Sequence, residues 1–437
     1  MLSKMKIKTI TFSILFLFSL VLNSSAQDTL SYDRVLDEAL KRNLFLKNEQ
    51  LNIDLARGEY YRTNSFFPKL PEIDAEYETD KFQSDNGSNL FSLTFSQEVE
   101  IAGQFSLRKH ISNYRIKKSE AEYKTRNYEI THAIKSLLNI INTLQLKLKI
   151  ADEVYKINEA LLNSSERRLK AGDISELDYN LILIETNNSL VNLNKTDAEF
   201  KNEVSNLNLY LGYEQGKVFH VNVDTSYRTT NLSLEQLQNT ALKNRTEIRA
   251  REYEKLANIS EISLFKTENF PSLKLSFGYS NATTIIPGDD IIGTHNITKI
   301  QDIGKSLKFG VGFSIPLPFS GLYNFNQGNI QSAEVRTKIL NNEIELIRKE
   351  VSTEVINAFD RWESSMKNIE LLQKNAKVIE NTLELLTRGY EKGELSLINY
   401  LTEKQKLYEM KLNYIVVLGE YQQSIIDLEK VTQTKIY

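Results

Sequence analysis

The 437-residue chain contains no cysteine, a single tryptophan, and only 6 proline and 17 glycine residues. Without cysteine there is no disulfide scaffold, no thiolate metal site, no thiol nucleophile and no lipid-modified N-terminal cysteine. Neither sign of charge dominates. The 54 Lys+Arg stand against 57 Asp+Glu, so the basic footprint of a nucleic-acid binder is missing. Long apolar runs are scarce as well: the main one, Thr9 to Leu22, has 14 residues, short of the roughly 20 that a spanning helix needs. No Gly-rich phosphate loop, Ser-His-Asp order or HExxH pattern occurs, and His110, His132, His220 and His295 lie scattered at no ligand spacing. These absences argue against an enzyme, a cofactor and a bound metal.

What is present begins with an address. Lys4, Lys6 and Lys8 precede the apolar run, and Ser24-Ser25-Ala26 follows it in the small-x-small pattern of a signal peptide, so 1–26 is expected to be removed before Gln27. Beyond that point no 18-residue apolar window occurs. A membrane role would therefore fall to β-strands. Abundant Leu, Ile, Asn, Glu and Lys with little Pro or Gly points to long helices.

The chain reads as one plan written twice. Leu30-Ser31 and Ala39-Leu40-Lys41 recur as Leu232-Ser233 and Ala241-Leu242-Lys243, at an offset of 202. Phe67-Pro68 recurs as Phe270-Pro271, Gly103 as Gly321, and the turn Arg167-x4-Gly172-x2-Ser175 as Arg388-x4-Gly393-x2-Ser396, the last at an offset of 221. The repeats are thus 29–213 and 232–432, joined by a linker over 214–231. Most of the growth in offset falls in one place, 285–305. There Pro287-Gly288-Asp289-Asp290 and Gly293 read as an inserted loop.

Within each repeat the order is short helix, two strands, long helix, short helix. The first short helix is expected over 32–65, ended by Phe67-Pro68 because the residue before a proline is pushed out of the α region. Its counterpart spans 233–268. Apolar residues from Leu340 through Val351, Trp362, Ile369 and Ile379 to Tyr390 recur every 3.57 positions, between the straight-helix and heptad periods. The long segments, 104–170 and 325–391, would each extend about 100 Å. The short ones, which include 175–211 and 396–432, would match that length laid end to end. The lone Trp362 lies on the apolar stripe and reads as packing, and His132 as a packed or solvated side chain. The pairs Arg108-Lys109 and Arg167-Arg168 read as solvated faces.

Four strand-like stretches alternate strictly. Phe91, Leu93 and Phe95 oppose Ser92, Thr94, Ser96 and Glu98; Leu273, Leu275, Phe277 and Tyr279 oppose Lys274, Ser276, Gly278 and Ser280; and Leu307 to Ile315 alternates in the same way. In the first stretch Glu72, Asp74, Glu76, Glu78 and Asp80 occupy one face. A soluble sheet with one buried face fits this alternation, and so do transmembrane barrel strands. The signal peptide favours the barrel. Four strands cannot close one alone, so other protomers must complete their edges.

With its two-fold order of Phe-Pro landmarks, strand pairs and tip turns, essentially the whole chain from about residue 29 to 432 resembles the TolC-like outer-membrane efflux protein family. The resemblance implies a mainly α fold with four antiparallel strands per copy and a homotrimer sharing a 12-stranded barrel on a long periplasmic α-helical barrel. The place implied is the outer membrane of a Gram-negative bacterium, reaching into the periplasm. The implied partners are two further copies, a periplasmic adaptor, an inner-membrane pump and outer-membrane lipid, with no nucleic acid and no cofactor. Ser96 to Gln104, together with Ile315-Pro316-Leu317-Pro318-Phe319 and Asn326-Gln327-Gly328-Asn329-Ile330, look like the branch serving cobalt–zinc–cadmium and copper efflux. A drug or type I protein-secretion channel is the alternative within transport, and a soluble periplasmic coiled-coil scaffold the alternative outside it.

On that reading Glu72, Asp74, Glu76, Glu78, Asp80 and Glu98 would line the pore, where rings of carboxylates favour cations. Arg167, Gly172, Arg388 and Gly393 would sit at the periplasmic tip against the adaptor, and 285–305 would be extracellular. Family members serving multidrug pumps carry an Asp pair six and nine residues past the second tip glycine. Here those positions hold Asn399 and Thr402, with Glu403 adjacent, and the first copy has Asp178 at the sixth, so the gate region departs from the family pattern.

Overall fold

A computed structural model describes residues 29–64, 70–80, 82, 88–213, 220–222, 232–287, 299–314 and 326–436. The expected signal peptide, Phe67-Pro68, His295, the 315–319 motif and Gly321 lie outside the described residues. The first repeat runs β1 (Thr29–Ser31), α1 (Tyr32–Arg42), α2 (Leu44–Thr63), β2 (Glu72–Thr79), β3 (Asn89–Glu100), α3 (Gln104–Ala171) and α4 (Glu176–Leu211). After β4 (His220–Asn222), the second repeats the order as α5 (Leu234–Asn244), α6 (Thr246–Thr267), β5 (Ser272–Pro287), β6 (Lys299–Ser314), α7 (Gln327–Glu391) and α8 (Leu397–Thr432).

The long helices match the expected spans closely, at 68 and 65 residues. Each expected first short helix is instead two. Asn43 breaks one: buried at the junction, its Oδ1 accepts from the backbone N–H of Phe45 (2.9 Å) and Leu46 (3.2 Å) and so caps α2. Arg245, the same position of the second repeat, breaks the other. Its buried guanidinium donates from Nε to the Val431 carbonyl at 2.9 Å and pairs with Glu354. A second departure lies in the expected linker, where β4 pairs in parallel with β1, Leu30 opposite Val221.

The described residues form two compact units, one within Met1–Lys47, Arg126–Arg245 and Val351–Tyr437, the other within Asn48–Thr125 and Thr246–Glu350. In the first unit Ile134, Leu138 and Ile141 of α3, Val355, Ala358, Trp362 and Ile369 of α7, and Tyr421 and Leu428 of α8 are all buried. Their spacing of three, four and seven is the 3.6-residue period written in side chains. Hydrogen bonds link α4 to α3 (Thr186 Oγ1 to the Asn158 carbonyl, 3.3 Å), α3 to α8 (Lys135 Nζ to Glu429, 2.5 Å) and α8 to α7 (Ser424 to Ser365, 3.0 Å). Toward the tip turns Ile182 of α4 packs in one core cluster with Leu397 and Tyr400 of α8. His132 is packed in this unit, with Nε2 3.0 Å from Asp427.

The second unit holds the four-stranded antiparallel sheet, in the order β2-β3-β5-β6. β5 and β6 have 16 residues each and pair from Ser272↔Ser314 to Pro287↔Lys299. Strand thus enters the expected 285–305 loop from both ends, because the ladder continues past the Tyr279-Leu307 pair although the apolar alternation does not. Asp80 lies just past the end of β2, where its carboxylate accepts from the Ser88 backbone N–H. Arg108, expected on a solvated face, is drawn into an ion pair with Glu100 at the end of β3.

Candidate functional site

Register decides which side chains share a face, since directly paired residues of neighbouring strands point the same way. Glu72, Asp74 and Glu76 pair with Ser96, Thr94 and Ser92, which pair in turn with Ser276, Gly278 and Ser280. Those residues oppose Gly310, Lys308 and Ser306 on β6. Along these rows one face of the sheet is therefore carboxylate, hydroxyl and glycine, with Lys308 on β6. Glu98 belongs to it, opposite Lys274. Ser280 and Ser306 share a 2.7 Å hydroxyl hydrogen bond on it. Four of the five expected β2 carboxylates, Glu72, Asp74, Glu76 and Glu78, share this face and are exposed. Asp80, just past the strand end, is exposed as well, with its carboxylate hydrogen-bonded to Ser88.

The opposite face is apolar. Ile73 and Tyr77, Phe91, Leu93 and Phe95, Leu275 and Phe277, and Leu307, Phe309, Val311 and Phe313 cover it. Phe277 and Phe309 meet edge to face at 5.9 Å. Yet these side chains stay exposed, Phe309 at 83% and Leu307 at 71%. Among the described residues no helix is long and apolar enough to cross a membrane, which leaves a β-barrel open. Nor do the described residues gather three or more His, Asp or Glu side chains that could hold a metal ion.

The helical hairpins end in two copies of one turn. Gly172 (φ 81°) and Gly393 (φ 76°) adopt the left-handed conformation that glycine reaches without a Cβ penalty. In both, the glycine N–H and the next N–H close a Schellman pair, onto Leu169 and Arg168 in one and onto Tyr390 and Gly389 in the other. The following helices start at Ser175 and Ser396. The Ser175 hydroxyl accepts from the Asp178 N–H, and the Asp178 carboxylate accepts from the Ser175 N–H and hydroxyl, a complete capping box. Asn399 donates its N–H to the Ser396 hydroxyl at 3.3 Å. Of the remaining expected tip and gate residues, Arg167 and Thr402 are exposed. Glu403 pairs with Lys406 at 2.8 Å, and Arg388 pairs with Glu384.

Below these turns the hairpins are fastened by a residue that sequence reasoning passed over. Tyr400, Lys404 and Tyr408 form a buried i, i+4, i+8 stripe. Lys404 Nζ donates to Asn158 Oδ1 of α3 at 2.6 Å and lies 5.1 Å from the Tyr400 ring centroid. Tyr400 stacks on Tyr390 at 4.5 Å. The signal was a lysine between two tyrosines at helical spacing, on the face otherwise reserved for packing. Burial pushes the Lys404 ammonium down from 10.5 to about 8, the Glu185 carboxylate offsetting part of the fall. Between those values the unfolded chain binds the proton that the folded chain has lost, so stability rises with pH in that window. The thermal midpoint is expected to climb more steeply from pH 8 to 10 in the wild type than in Lys404→Met. Equal slopes in both proteins would contradict burial of the amine.

Residues 35–213 and 237–432 match the family model described as outer membrane efflux protein. The cobalt-zinc-cadmium resistance protein CzcC of Cupriavidus metallidurans is 22% identical over 299 residues, 66% of this chain and 63% of that protein, so the match spans less than two thirds of that relative. A membrane protein from Pseudomonas aeruginosa superimposes with a TM-score of 0.72 at 17% identity, over 92% of this chain and 93% of the other. CusC, from work on conformational changes accompanying folding and transmembrane channel formation, superimposes with a TM-score of 0.69 at 19% identity, over 91% of each chain. At these identities the structural likeness is one of fold.

Proposed function

The chain belongs to the outer membrane efflux protein family, whose place is the outer membrane, and from that premise we propose that it is the exit duct of a tripartite efflux system carrying divalent metal cations. Three copies would join edge to edge into a 12-stranded barrel. The observation that carries this reading is the sheet itself: two open edges, an acidic and hydroxylated face, and an aromatic face left exposed. Twelve strands are enough to close around a lumen, which puts the polar face inward and the apolar face against lipid. A soluble scaffold would have no use for so large an exposed apolar surface.

Glu72, Asp74, Glu76, Glu78 and Glu98 would then ring the conduit and concentrate cations without chelating them. The turns at Gly172 and Gly393, with Arg167, would face a periplasmic adaptor. Asp178, Asn399, Thr402 and Glu403 would surround the opening that the adaptor and an inner-membrane pump engage. The chain makes and breaks no bonds in this scheme, and the pump supplies the energy. The likeness to CzcC, named as a cobalt-zinc-cadmium resistance protein, supports metal as cargo. A deletion strain is expected to lose tolerance to divalent cobalt, zinc or cadmium and to regain it from a plasmid copy. Unchanged metal tolerance with new sensitivity to organic drugs would assign the cargo to the drug-efflux alternative.

A further inference from the structure

A cleft of about 160 Å³ opens on the first unit between α3, α8 and the segment that follows α8. At roughly 30 Å³ per water it has room for about five waters, or for one small organic molecule. Three ammonium groups line it, those of Lys135, Lys430 and Lys435, against the single carboxylate of Glu429.

That carboxylate is already engaged. Lys135 Nζ donates to Glu429 Oε2 at 2.5 Å, and Glu429 Oε1 accepts from the Ile436 backbone N–H at 3.0 Å. The Asp427 carboxylate, which meets the lining residue His132 at 3.0 Å, also accepts from Gln423 Nε2 at 2.9 Å and stands 3.8 Å from Arg361. Lys430 and Lys435, by contrast, meet no carboxylate among the described residues, and the Tyr128 and Thr131 hydroxyls that line the cleft meet no acceptor there. Elsewhere on the chain exposed lysines such as Lys156, Lys201 and Lys367 each pair with an acid one turn earlier. One turn before Lys430 stands Ile426 instead, and it too lines the cleft. The walls thus offer two ammonium groups and two hydroxyls with no anion of the fold's own to receive them, beside an apolar patch of Ile426 and the Tyr128 ring.

We propose that this cleft binds a small organic anion, a carboxylate carried on a compact apolar body. Lys430 and Lys435 hold the carboxylate together with the Tyr128 and Thr131 hydroxyls, in charge-assisted hydrogen bonds that a half-enclosed site strengthens. Ile426 and the Tyr128 ring cover the apolar body. The donors come from α3, from α8 and from the segment beyond it, so a bound anion bridges all three and stabilises the folded chain by mass action. The site is independent of whatever cargo the channel carries.

Isothermal titration calorimetry of the full-length protein in detergent, at constant ionic strength, tests this with three probes. Sodium benzoate supplies both head and body, sodium acetate the head alone, and benzamide the body without the charge. Benzoate is expected to bind saturably with a Kd on the order of 1 mM, ordinary for so small a ligand. Acetate and benzamide are each expected to bind about tenfold more weakly. Lys430→Met with Lys435→Met alters two exposed side chains; it is expected to leave the unliganded thermal midpoint in place and to weaken benzoate binding by about tenfold or more. Tyr128→Phe keeps the ring and is expected to weaken it by about fivefold. The proposal is overturned by any of three results: no saturable benzoate binding, acetate or benzamide binding as tightly as benzoate, or a double variant that binds benzoate as the wild type does.

Discussion

Trp362→Ala is expected to remove about 3–5 kcal/mol of stability, a large share of the 5–15 kcal/mol typical of a folded domain. The side chain is 3% exposed, one turn from Ala358 and two turns from Val355 and Ile369 on the same buried stripe, with its ring centroid 5.4 Å from that of Phe359. Truncation forfeits the transfer free energy of the indole and leaves a void that the rigid helices cannot fill. Trp362→Phe should behave differently. The indole Nε1 is buried with no hydrogen-bond partner among the described residues, so phenylalanine loses some packing but also removes an unsatisfied donor worth about 1–3 kcal/mol. A net change within about 1.5 kcal/mol is expected. Circular dichroism at fixed protein concentration suits the measurement, since both variants lose the lone tryptophan fluorophore. Equal losses for the two variants would show that Nε1 is satisfied in solution.

The larger functional effect is expected from the acidic strand. Replacing Glu72, Glu76 and Glu78 by Gln and Asp74 by Asn keeps shape and hydrogen bonding while removing four charges per chain. Among the residues described on the polar face, Glu98 and Glu100 then remain with Lys274 and Lys308. Cation-over-anion permeability in a planar bilayer is expected to fall by about tenfold, because a charged, low-dielectric cleft concentrates counter-ions by that order or more. Folding should be little affected. Residues two apart on a strand place like charges about 7 Å apart, so their neutralisation relieves repulsion. An unchanged reversal potential would mean that the carboxylates only keep a free edge strand from pairing at random.

Much of the architecture was legible because it is periodic. The 3.57-residue stripe from Leu340 to Tyr390 is buried or half-buried at every position, and the strict alternation around Phe91 and Phe309 did assign the two sheet faces. The tip turns were legible because only glycine sits comfortably at φ near 80°. What escaped was set by single polar side chains acting across the fold. Asn43 and Arg245 interrupt helices whose apolar pattern runs straight through them. Lys404 fits a buried stripe only because Asn158, 246 positions away, supplies an acceptor. Asp80 continues the strand alternation perfectly, yet its carboxylate is claimed by Ser88.

The central claim is that the polar face of the sheet lines a lumen and the apolar face meets lipid. Single thiols introduced by Glu76→Cys and by Phe309→Cys into this cysteine-free chain test it in one measurement: the current through reconstituted channels before and after a charged, membrane-impermeant thiol reagent. The current should drop sharply for the Glu76 variant and hold steady for the Phe309 variant. Block at Phe309 with none at Glu76 would contradict the account.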